Sequence, residues 1–140
     1  GSSGMIKDIQ ESNARKAKGE KLQKHIVTEV KSRFPDHAAS IKSSKMSAHG
    51  EDIKITSDEA RSAFPFSIEA KYKDKGLTSV YSAMEQAGRQ VESLTSTLTI
   101  HGVAAIQQQG KDPLIVMNMQ DWLDLTQKLR ALSANREGGV

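Results

Sequence analysis

A single helical stripe lies between two alternating runs, and that order limits the folds open to this 140-residue chain. Val80, Met84, Ala87, Val91 and Leu94 recur at i, i+4, i+7, i+11 and i+14, one narrow apolar line along a helix. Before it, Phe66, Ile68 and Ala70 alternate with Ser67, Glu69 and Lys71, the period of two expected of a strand over 66–72. After it, Thr97 to Ile106 reads as another strand. A helix between two strands occupies the crossover position of a right-handed βαβ unit.

The flanking segments extend this pattern. Gly1-Ser2-Ser3-Gly4 before Met5 reads as the remnant of an expression tag, residues 5–134 as a single domain, and 135–140 as a frayed, flexible tail. Leu22, Ile26, Val30 and Phe34 recur every four residues, so a helix is expected from about Ser12 to Phe34, ended by Pro35. Residues 36–49 are small and polar, with Ile41 opening a short edge strand. Ile53 and Ile55 alternate with polar neighbours over Asp52–Thr56, a half-buried strand. Ser57 has the position of an N-cap for a short helix through Ala63. Lys73 to Gly76 reads as a turn. Leu114 to Met119 is a last strand, joined to the previous one by a hairpin through Gly110-Lys111-Asp112-Pro113. Asp121 is expected to cap a final helix with Trp122, Leu125, Leu129 and Leu132 on one face. The expected class is α/β, a sandwich around a small mixed sheet.

Cysteine is absent, which excludes disulfides, thiolate metal sites and cysteine nucleophiles. No P-loop and no GxSxG occur, so neither a nucleotide cofactor nor a serine hydrolase is expected. No apolar run approaches a membrane span, and the early charges Lys7, Asp8, Glu11 and Arg15 do not make a signal peptide. An intracellular, cytoplasmic place of action is the expectation. Twenty Lys and Arg face 17 acids, a formal charge of +3, which permits nucleic-acid binding without requiring it.

The chemistry concentrates between Gly50 and Lys71. Asp52 begins one expected strand and Glu69 lies in the next, with Lys71 on the same face as Glu69. Two carboxylates suit Mg²⁺, a hard cation that keeps several waters, and Mn²⁺ is its natural substitute. The Ala70 carbonyl offers a third oxygen. Lys71 is placed to stabilise negative charge on a phosphate, and Gln86 or Gln90 on the next helix to hold a water or a phosphate oxygen. The same spacing also admits a plainer reading, in which Glu69 and Lys71 form a surface pair and Asp52 starts a turn.

Taken with their neighbours, these residues resemble the PD-(D/E)xK nuclease superfamily. The resemblance rests on Lys18-Gly19-x-x-Leu22-Gln23, Gly50-Glu51-Asp52-Ile53, Phe64-Pro65-Phe66-Ser67-Ile68-Glu69-Ala70-Lys71 and Glu85-Gln86-Ala87. It is similar in plan to small phage-type nucleases and to Holliday junction resolvases. The resemblance implies a restriction-endonuclease-like mixed β-sheet core flanked by helices, and a catalytic core of Asp52, Glu69 and Lys71, with Gln86 on the following helix. It also implies a homodimer and a phage-encoded enzyme acting in a bacterial host. Many relatives carry a glutamate as an extra metal ligand where this chain has Gln23. Glu20 lies one turn earlier, and either residue is a candidate. Pro35-Asp36 is a literal Pro-Asp pair, but it follows a helix end and is read as a decoy.

The expected activity is Mg²⁺-dependent DNA phosphodiester hydrolysis, with branched DNA such as a four-way junction favoured over a long sequence. The alternatives are a sequence-specific endonuclease of restriction or homing type and a non-catalytic DNA-binding module of the same fold. Candidate phosphate contacts are Lys18, Lys21, Lys42, Lys45, Lys73 and Lys75, with His49 beside Gly50 as an approach to DNA.

Overall fold

The computed structural model describes residues 2–45 and 50–138, with side chains described within 4–45 and 50–135. The chain divides into two compact units, Gly1–Lys73 and Asp74–Val140.

In the first unit, α1 spans Ser2–Arg33, and a 3-10 helix at Pro35–Ser40 leads into β1, Ile41–Ser43. β2 is Ile53–Ile55 and α2 is Asp58–Ala63. α1 starts about ten residues earlier than its apolar period suggests. Residues 4–18 are exposed throughout, so no packing marks that early start. Nine of these fifteen are Lys, Glu, Gln, Ala, Arg or Met, good helix formers that extend a helix already nucleated further on. Packing begins at Gly19 and continues through Gln23, Ile26, Val27, Val30 and Phe34, all buried. Pro35 ends the helix as expected.

β1 and β2 form an antiparallel pair with Ile41 opposite Ile55, Lys42 opposite Lys54 and Ser43 opposite Ile53. Ile41 and Ile53 are buried in the same core as Ala60, Ala63 and Phe64. Ser57 caps α2, its hydroxyl accepting the Ala60 N–H at 3.1 Å. Phe64 then packs edge-on against Phe34 and Phe66, with ring centroids 5.6 and 5.1 Å apart.

The expected strand over 66–72 does not form a ladder. Its alternation is real: Phe66, Ile68 and Ala70 are half-buried while Ser67, Glu69 and Lys71 are exposed. Side chains, however, take up two of its backbone groups. Arg61 Nη1 donates to the Phe66 carbonyl at 2.8 Å, and the Ala70 N–H donates to Asp52 Oδ2 at 2.7 Å. Those two groups therefore need no neighbouring strand.

In the second unit, α3 is Thr78–Ser93, β3 is Val103–Ile106, β4 is Leu114–Met117 and α4 is Met119–Gly138. The α3 stripe holds: Ala87 is buried, and Val80, Met84 and Val91 are half-buried. Leu94 is the C-cap and stays exposed. The hairpin also holds, with Val103 opposite Met117 and Ile106 opposite Leu114. Gly110, at φ +79°, supplies the left-handed turn residue.

The expected strand over 97–106 is shortened to its last four residues. Asn118 explains the limit: its Oδ1 accepts the N–H groups of Gln120 and Asp121 at 2.9 and 3.4 Å. Asn118 is therefore the cap of α4, in place of Asp121. The chain turns helical directly after β4, leaving nothing for 97–102 to pair with. Leu123 and Thr126 form the buried face of α4, whereas Leu125, Leu129 and Leu132 are exposed. The helix also runs past the expected tail boundary, through Asn135 to Gly138; residues 139–140 lie outside the described residues.

The protein is therefore α/β in the broad sense. Among the described residues its sheets are two separate antiparallel pairs, and no parallel βαβ pairing is present. Among the same residues, no helix is long and apolar enough to cross a membrane.

Candidate functional site

A relay of hydrogen bonds in the first unit converges on Asp52. It starts at Gln23, whose side chain is only 2% exposed. Gln23 Nε2 donates to Ser43 Oγ at 2.8 Å and to the Ser44 carbonyl at 2.5 Å. Ser44 holds the strand start opposite: its hydroxyl donates to the Glu51 carbonyl at 2.6 Å, and its N–H to the Asp52 carbonyl at 2.9 Å. Asp52 then reaches across to Ala70 through Oδ2. One acid named by the sequence is thereby attached to the backbone between Glu69 and Lys71.

A second clamp lies beside the first. Arg61 Nη2 donates to Glu51 Oε2 at 2.6 Å while its other nitrogen holds Phe66. The Arg61 guanidinium first, and the Ser67 hydroxyl second, hold the Glu51 carboxyl below the usual carboxylate range. Arg61 thus ties the chain before β2 to the start of the 66–70 segment, and Asp52 ties it near the end.

Glu69 and Lys71 stand on the open side of that segment. Their charged groups are 3.7 Å apart, with side-chain exposures of 73% and 79%. An exposed pair of this kind contributes on the order of 0–1 kcal/mol to stability. Both groups are accessible to a large ligand.

The other residues singled out in the sequence fall into distinct places. Glu20 pairs with Lys24 at 3.2 Å along the exposed surface of α1. Gln23 serves as the buried donor described above, and a glutamate there would have no proton to give the Ser44 carbonyl. Asp36 is exposed in the first turn of the 3-10 helix. Lys42, Lys45 and Lys73 are exposed. Lys18 and Lys21 line a cleft beside Tyr72. Gln86 and Lys75 belong to the second unit, where both are exposed. His49 lies outside the described residues.

Three participants escaped the sequence reading. Lys54 faces Lys42 across the β1–β2 pair, where like charges directly opposite repel. Its place between two inward isoleucines was the available signal. Arg61 joins Glu51 to the Phe66 carbonyl, a long-range link with no local signal in the sequence. Tyr72, next to Lys71, carries no motif of its own in the sequence; it is 45% exposed beneath the Lys18 ammonium, which lies 5.4 Å from the ring centroid.

Asp52, Glu69 and the Ala70 carbonyl are hard oxygen donors on two tethered segments, a set that fits a cation keeping much of its water shell. Among the described residues, no group of three or more His, Cys, Asp or Glu side chains is gathered as a metal cluster. A site here would use two carboxylates, backbone and water. No family model matches the chain, and comparisons with curated proteins and with solved structures returned no match.

Proposed function

We propose that the protein is a metal-dependent DNA endonuclease whose reaction centre is the Asp52–Glu69–Lys71 group. The observation that carries this reading is the tether of Asp52 to Ala70, which holds two carboxylates and a lysine on one pair of segments. Asp52, Glu69 and the Ala70 carbonyl are the residues that would hold Mg²⁺ or Mn²⁺. A divalent cation bound there would supply Lewis-acid polarisation of a phosphodiester and a more acidic water.

The chain's own groups do the rest. Asp52 is fixed by its bond to Ala70, so its carboxylate needs little reorganisation when substrate arrives. Lys71 leaves its weak exposed pairing with Glu69 to meet the negative charge growing on the phosphate. The Lys42–Lys54 pair gives two cations whose mutual repulsion a DNA phosphate would relieve. Branched DNA is the favoured substrate, because a unit this small has little surface for reading a long sequence. A homodimer would supply two such centres for two strands. Leu125, Leu129 and Leu132 on α4 are exposed at the four- and three-residue spacing of a helix-pairing seam. Leu129→Glu should shift a sedimenting dimer to monomer; an unchanged sedimentation coefficient would remove that seam from the account.

The competing reading is a DNA-binding module without catalysis, favoured by the way Glu69 and Lys71 pair with each other at the surface. A cleavage panel separates the two. Duplex, single-stranded, flap and four-way junction DNA are incubated with Mg²⁺ or Mn²⁺. Cleavage with a preference for the junction is expected. Binding without cleavage on every form would leave the module reading standing, and discrete fragments from long duplex would favour a sequence-specific enzyme.

A further inference from the structure

The cleft beside Tyr72 has features that duplex DNA cannot use. Lys18, Lys21, Leu22 and His25 lie at i, i+3, i+4 and i+7 on α1, so they share one face of the helix. With Tyr72 they line a cavity of about 400 Å³, within the range of small-ligand sites. The Tyr72 ring is 45% exposed and forms one wall, and the Lys18 ammonium stands 5.4 Å from its centroid. Leu22 adds an apolar wall, and Lys21 and His25 add polar groups at the rim.

We propose that this cleft receives one unpaired nucleotide of DNA, its base against the Tyr72 ring and its phosphates against Lys18, Lys21 and His25. The proposal deepens the endonuclease reading and rests on its substrate being DNA. A flat aromatic wall bordered by cations is the chemistry that single strands find in their binding grooves. Bases inside a duplex present only their edges to a protein, since their faces are covered by neighbours. A base must leave the stack to meet Tyr72. Tyr72 follows Lys71 directly in the chain. A strand passing Lys71 would have to release a base from its stack to enter the cleft. This selects branches, overhangs and frayed ends over continuous duplex.

The test measures binding by fluorescence anisotropy of the full chain, in EDTA so that no strand is cut. The probes are a labelled single strand, a blunt duplex of the same sequence and that duplex with a single-stranded overhang. Tyr72→Ala should weaken binding of the single strand and the overhang about tenfold and leave the blunt duplex within about twofold. Tyr72→Phe, which keeps the ring, should bind like the wild type. Far-UV circular dichroism checks that the variants are folded. Equal affinity of Tyr72→Ala and wild type for the single strand overturns the proposal, and so does an equal loss on all three probes. The endonuclease reading fails separately. Absence of cleavage in Mg²⁺ with the Tyr72 selectivity intact removes catalysis and keeps the cleft, whereas cleavage with binding indifferent to Tyr72 removes the cleft alone.

Discussion

The carboxylate of Asp52 accepts the Ala70 N–H through Oδ2 at 2.7 Å, so a side chain from the start of β2 stands in for the strand that would otherwise pair with residues 66–70. The bond has two consequences. It satisfies a backbone donor in a segment without a ladder, and it fixes one acid beside the backbone that carries Glu69 and Lys71.

Glu69→Gln and Lys71→Ala should separate stability from activity. Both side chains are largely exposed, so each change should alter unfolding free energy by no more than about 0.5 kcal/mol in urea titration. Cleavage of a four-way junction should fall by about a hundredfold or more. Variants that unfold easily would show that these residues hold the fold, and variants that cut as well as wild type would remove them from the reaction.

Gln23→Leu should destabilise the first unit by about 1–3 kcal/mol, because the Ser44 carbonyl and the Ser43 hydroxyl lose a buried donor. Gln23→Glu should do no better, since a carboxylate placed against a carbonyl repels it. Denaturant titrations of the two variants at neutral pH give the comparison. A fully stable Gln23→Glu protein would mean that the amide is not needed as a donor.

Acid should weaken the protein partly through Glu51. Its folded pKa is depressed, first by the Arg61 guanidinium and then by Ser67. A depressed carboxylate stabilises the fold fully above its unfolded pKa of about 4.3 and loses that contribution as pH falls through the folded value. Both partners are partly solvated, so the effect should stay below about 1 kcal/mol. Urea unfolding at pH 7 and near pH 3 should show a smaller acid loss in Glu51→Gln than in wild type. Identical losses would remove Glu51 from the acid response.

Much of the candidate site was legible because alternation and spacing are local properties. Phe66 to Lys71 alternates in the structure as the sequence implies, and Ser57 caps α2. What failed depended on long-range partners. Nothing in the pattern around Ala70 reveals that a side chain will take its N–H, so the ladder and the mixed sheet were expected where two small antiparallel pairs formed. Two capping residues three apart, Asn118 and Asp121, compete for one helix start, and only the end of β4 at Met117 decides between them. On α4, two apolar lines compete: Leu123 is buried, and the longer Leu125–Leu129–Leu132 line is left outside.

The second unit offers an independent check of its packing. A Cβ on Gly102 would lie 3.1 Å from the Ala87 carbonyl carbon and 3.3 Å from its Cβ, so α3 approaches β3 where no side chain fits easily. Gly102→Ala should cost about 1–3 kcal/mol by overpacking, and Gly88→Ala, with open space around it, should not. Thermal melts of the two variants give the contrast; equal melting temperatures would mean that the close approach is not maintained in solution.

The most direct measurement is a time course of four-way junction cleavage in Mg²⁺ by wild type, Asp52→Asn and Asp36→Asn, with DNA binding measured in parallel. The tethered Asp52 predicts that wild type and Asp36→Asn cut, while Asp52→Asn binds DNA but does not cut. Cleavage by Asp52→Asn at the wild-type rate, or no cleavage by any of the three, would contradict the account.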